Sequence, residues 1–130
     1  MPKNPKQQLY DSIFAGSLGR GFYTVDTMQA QHGDPPYPFV HIGEVIGNDI
    51  RDNKDVIRGA FGITAHVWAL ANDRGAFTDM VYQLENVIRY QRQMDGFTVK
   101  NISLNSNELH DDSTSTLLWH GTISAEFETI

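Results

Sequence analysis

The residues of this 130-residue chain that could carry chemistry are five histidines and a scatter of carboxylates and hydroxyls. His41, His66 and His120 each fall within an alternating, strand-like run, so three imidazoles can meet on one sheet face. A zinc site built that way calls for ligands at a fixed spacing such as His-x-His or His-x3-His, and the sequence has none. No metal and no cofactor is therefore expected. The simpler expectation is that each imidazole pairs with a neighbouring Thr, Ser or Glu at a sheet surface or subunit contact. His32 and His110 lie in polar stretches and read as solvated. Asp111-Asp112 and the Glu126/Glu128 pair are carboxylates of the right type for acid–base work. That work also needs two of them held across a cleft with separated pKa values. In a polar stretch and on an outward strand face, they read as solvating charge. No Gly-x-Ser-x-Gly elbow is present, and no Gly-x-Gly-x-x-Gly follows a strand. Gly16-Ser-Leu-Gly-Arg-Gly21 follows a helix, which is the wrong context for a phosphate loop. A non-enzyme is expected. The alternatives are a small α+β enzyme or ligand-binding domain using His66, His120 and Glu126, or another assembly or scaffold binder.

The elements that would position these groups are organised around residues 59–94. From Gly59 to Ala71 the chain alternates, with Phe61, Ile63, Ala65, Val67 and Ala69 on one face. Gly62, Thr64, His66, Trp68 and Leu70 take the other. At Asn72-Asp73, both good N-cap residues, the period switches to that of a helix. Phe77, Met80, Val81, Leu84, Val87 and Ile88 then form one apolar stripe, and Asp95-Gly96 is the expected stop. Strand and helix can fold back and cover each other.

An earlier helix is expected from Asn4 as N-cap, with Pro5 at the first helical position and Leu9 and Ile13 on its apolar side. Gly16 or Gly19 would end it. Residues 21–25 suit a short edge strand, and 27–36 a loop. Tyr37 to Ile46 reads as a strand with Val40, Ile42, Glu44 and Ile46 on one face and Phe39, His41, Gly43 and Val45 on the other. The segments 47–54 and 105–115 read as long polar links, and such links in a small domain are commonly functional. Phe97 to Leu104 is a strand with a bulge near Asn101. The last strand puts Leu117, Trp119, Gly121, Ile123, Ala125 and Phe127 inward, and His120, Thr122, Ser124, Glu126 and Glu128 outward. The order α-β-β-β-α-β-β implies an α+β domain, a mostly antiparallel sheet with two helices on one face. Residues 1–130 are expected to form one domain.

A net charge of −6 argues against a nucleic-acid binder, which needs a basic stripe to neutralise phosphates. Arg89, Arg92 and Lys100 make too thin a grouping for that. Without cysteine there is neither a disulfide nor a thiol nucleophile. No secretory signal and no membrane-spanning run is evident, so a soluble, cytoplasmic product is expected. With no pocket motif, the polar links look like arms that reach partners: Asp49, Arg51, Asp52 and Lys54 in the first, Asp111 and Asp112 in the second. His66 and Trp68 mark the strand face whose burial needs a neighbour.

Five segments in order carry a family resemblance. They are Leu9-Tyr10 in the first helix, Pro36-Tyr-Pro-Phe-Val-His-Ile-Gly-Glu44, Ile63-Thr-Ala-His-Val-Trp-Ala69, the long helix from Phe77, and the stretch Asp111 to Phe127 with its acidic start and His120-Gly121. Across nearly its whole length the chain resembles the tail-completion, or tail-terminator, proteins of long-tailed, non-contractile bacteriophages. The resemblance implies an α+β subunit that assembles with itself as a ring, typically a hexamer. It implies a place at the head-proximal end of the tail in the virion, and in the host cytoplasm during assembly. Such a ring binds the major tail-tube protein, stops tube polymerisation and presents the surface that meets the head-completion (connector) protein. DNA would pass through the lumen without specific binding, and six copies at −6 would give the ring −36. The family has no catalytic residues to carry over.

Overall fold

The computed structural model describes residues 4–26, 36–49, 59–113 and 116–130. Helix α1 (Pro5–Gly19) starts where Asn4 Oδ1 accepts a 2.9 Å hydrogen bond from the Lys6 amide, satisfying one orphan donor of the first turn. It runs through Gly16 and ends at Gly19, and Gly21 then takes a positive φ of 84°. Gly16 serves packing instead: a Cβ there would stand 2.6 Å from Val87 Cγ1 of the second helix.

Strand β1 (Thr24–Val25) pairs in parallel with the start of β2 (Phe39–Asp49). Strand β3 (Gly59–Leu70) follows, then helix α2 (Arg74–Arg89), β4 (Val99–Asp111) and β5 (Leu118–Thr129). The strands form one sheet in the order β1-β2-β3-β5-β4, antiparallel except for the β1–β2 pair. This is the expected α+β architecture in the expected element order. Both helices lie on one face. Leu9 and Ile13 of α1 and the Phe77, Met80, Val81, Leu84, Val87, Ile88 stripe of α2 pack there against Val40, Ile42, Phe61, Ile63, Ala65, Val67, Ile123 and Phe127. Gln8 ties α1 to the segment after α2, its amide donating to the Asp95 carbonyl at 3.2 Å while its own carbonyl accepts from the Asp95 amide at 2.7 Å.

Several local expectations change. Gly47, Asn48 and Asp49, expected to open a link, continue β2 and pair with Phe61, Ala60 and Gly59 of β3. Helix α2 stops at Arg89 rather than near Asp95, because positions 91, 92 and 95, which continue the stripe, are Gln, Arg and Asp. In β2 the register shifts between Ile42 and Val45, so Val40 and Ile42 share the helix-facing side with Val45. Ile46 turns outward and is 62% exposed. A bulge adds one residue and swaps every later side chain to the opposite face, which simple alternation cannot anticipate. Residues 105–111 are not a link but the second half of β4, paired with β5 from Ser124 down to Leu118. Their polar composition suits a strand that α2 covers sparsely and that is held by its backbone ladder. Leu117 precedes β5 and is exposed, while Leu118 is buried on the side away from the helices. The bulge expected near Asn101 is present, between Asn101 and Ser103.

Candidate functional site

The sheet face turned away from both helices holds His41, His66, Trp68, His120, Glu126 and Glu128 of the residues that the sequence singles out. Strand register fixes the arrangement: Phe39 lies opposite Trp68, Trp68 opposite His120, and His41 opposite His66. These cross-strand neighbours form a stack of rings. Trp68 and His120 lie nearly parallel, 8° apart, with centroids separated by 3.8 Å. His66 stacks on His120 at 5.1 Å and on His41 at 5.5 Å, and Phe39 on Trp68 at 6.5 Å. His66 Nδ1 and His120 Nε2 are 2.9 Å apart, a hydrogen bond in which one imidazole donates and the other accepts. Thr122 Oγ1 lies 3.4 Å from the same His120 nitrogen.

This arrangement disfavours imidazolium. Burial, then the proximity of His120 and His41, lowers the His66 pKa from 6.5 to about 4. Burial also lowers His120, opposed by the Asp111 carboxylate. The sign of the linkage follows. Between pH 6.5 and 4 the unfolded chain binds protons that folded His66 refuses, so stability is complete above 6.5 and declines as pH falls through that window. A urea midpoint measured at pH 7 and at pH 4.5 is expected to fall with acid. His66→Asn is expected to flatten that dependence, and an unchanged slope would contradict the assignment.

Among the described residues no group of three or more His, Asp or Glu is placed to hold a metal ion. The three imidazoles that the sequence brings to one face lie stacked, and a metal would need lone pairs converging on one point. Nor is the alternative trio assembled. His66 and His120 meet, but Glu126 lies opposite Gly62, six positions from His120 along β5, roughly 20 Å at strand rise. Asp111 ends β4, where its carboxylate accepts from the Ser113 amide at 2.8 Å. The Ser113 side chain first, and then that amide, hold its pKa below the usual carboxylate value. Asp112 follows, exposed. Asp49 closes β2, while Arg51, Asp52 and Lys54 lie outside the described residues, as do His32 and most of the 27–36 segment. His110, expected to be solvated, is exposed yet stands 3.8 Å from the Trp119 ring. Arg74 lies over the same indole at 5.2 Å.

Several surface residues were not singled out by sequence. Ile46, Ile102 and Leu109 are exposed apolar side chains, at 62%, 46% and 64%. A bulge hides the first two from any alternation pattern, and Leu109 sits in a stretch polar enough to read as loop. Neither helix covers the Trp68–Leu70 face. Both pack on the opposite side, and Leu70 stays 40% exposed.

No family model matches this chain, and no curated protein does either. Solved structures do share its fold. One, a protein designated only by a sequence identifier, superposes with a TM-score of 0.57 over 98% of this chain and 97% of its own, at 15% identity. Another is a chain of the virion of a native gene transfer agent particle, with a TM-score of 0.51 over 95% of this chain and 94% of its own, at 11% identity. At these identities the likeness is one of fold, and it extends end to end.

Proposed function

We propose that this chain is a phage-type virion protein that caps the head-proximal end of a tail tube as a homohexameric ring. The ring stops tube polymerisation and forms the head-to-tail joining surface. The supporting observation is the full-length fold shared with a chain of a gene transfer agent virion, joined to the ordered sequence segments that resemble tail terminators. In this reading residues 1–130 work as one domain with no catalytic role. Its partners are further copies of itself, the tail-tube protein below and a head-completion protein above.

The sheet face supports the same reading. Ile46, Leu70, Ile102 and Leu109 stay exposed around the outer face. Apolar area left uncovered on an isolated subunit is what an assembly contact removes from water. His66 and Trp68 belong to that lateral contact. Asp49 closes β2, and Asp111 and Asp112 stand at the end of β4. With Arg51, Asp52 and Lys54, which lie outside the described residues, they are assigned in this reading to axial contacts with tube and head. An acidic ring repels the DNA that must pass through it.

The test is mass in solution at two concentrations, with and without tail-tube protein. A hexamer, or a monomer that becomes one on tube ends, is expected. A chain that stays monomeric in both and never associates with tubes would overturn the proposal.

A further inference from the structure

The far end of the outer face from the ring stack carries a trough. Two adjoining depressions, of about 230 and 310 Å³, share Ile46, Gly62 and Glu126 in their linings. The trough exists because Gly62 has no side chain and because a bulge on each side re-aims its neighbours, one in β2 before Val45 and one in β4 after Asn101. Exposed Ile46 and Ile102 form its apolar part. Glu44, Glu126 and Glu128 form its rim, all exposed, with Lys100 opposite Glu128 as the cation within the same register. An apolar floor under three carboxylates fits a surface offering aromatic or aliphatic side chains beside Arg or Lys.

The molecule presents such a surface on its opposite side. At the C-terminal end of α2, Tyr90 is 75% exposed, and mid-helix Tyr82 is 60% exposed. Arg92, two residues after Tyr90, is exposed, and Arg89, held by Asn86 at 2.6 Å and Glu85 at 3.7 Å, adds a second guanidinium. We infer that the Ile46–Ile102 trough of one copy receives the Tyr90–Arg92 end of α2 from the next copy. Acidic trough and basic patch lie on opposite layers of the subunit, so the contact is heterologous and runs head to tail, as ring closure requires. Aromatic and Arg side chains are those that anchor such interfaces. This assignment rests on the ring reading above and names the surfaces that close it.

Charge exchange tests it. Glu126→Lys with Glu128→Lys makes one variant, and Arg92→Glu makes the other. All three positions are exposed, so the circular dichroism spectrum and urea midpoint of each are expected to match the parent. Each variant alone is expected to lose self-association by about tenfold or more in sedimentation. Mixed in equal amounts they are expected to assemble again, because each then meets an opposite charge on both sides. If either variant forms rings like the parent, or the mixture does not recover, the assignment of these surfaces is wrong while the ring stands. If the parent chain itself never forms a ring, with or without tube ends, the ring reading falls and this contact with it.

Discussion

Phe127→Ala is expected to lower the stability of the isolated chain by about 3–5 kcal/mol, the range for emptying a fully buried aromatic site. Phe127 has 0% exposure and lies opposite Phe61 on the helix-facing side of the sheet. Phe61 is itself 6.2 Å from the Phe97 ring, so three aromatic side chains fill that end of the core. Removing one leaves a cavity that neither the rigid sheet nor its neighbouring rings can close. Domains of this size are typically stable by about 5–15 kcal/mol, so the variant would keep a fraction of its reserve. The check is a urea midpoint with an unchanged m-value. Ile46→Ala is the paired control. Its side chain stands on the outer face at 62% exposure, and it should move stability by no more than about 0.5 kcal/mol. Equal losses from the two would mean that the outer face is core.

Gly121→Ala is expected to cost about 1–3 kcal/mol by overpacking. A Cβ at Gly121 would stand 2.9 Å from Val81 Cγ2 and 3.1 Å from Phe77 Cζ, where α2 rests on β5. Both neighbours are buried, so the helix must lift or their rotamers must shift. Val81→Ala removes the clashing methyl groups and opens space of its own. In the double variant the new methyl partly fills that space, so the loss should be smaller than the sum of the two single losses by at least about 0.5 kcal/mol. Additive losses would place the close approach elsewhere.

These effects depend on features that the sequence displays unequally. The β3–α2 pair is legible because its two faces obey single periods, two and then 3.6, over enough residues to be unmistakable. The stripe from Phe77 to Ile88 and the odd positions of β3 are core in the structure as they are in the pattern. Strand β2 is less legible. One inserted residue between Ile42 and Val45 exchanges its faces, and nothing in the side chains of Gly43 and Glu44 announces the bulge. The second half of β4 is illegible for a different reason. Asn105 to His110 are all exposed, so no burial pattern marks them, and their strand is specified by pairing with β5. Of the candidate site, the shared face of His41, His66 and His120 follows from alternation. Their stacking and the His66–His120 hydrogen bond follow from register, which alternation does not set. The trough beneath Glu126 arises from two bulges and a glycine, and so only from three dimensions.

The central claim is that this chain ends tail growth and readies the tail for the head. The most direct measurement is electron microscopy of tails assembled with the chain and in its absence. The account predicts tails of uniform length joined to heads when it is present, and overlong, headless tubes when it is missing. Tails of normal length that join heads in its absence would contradict it.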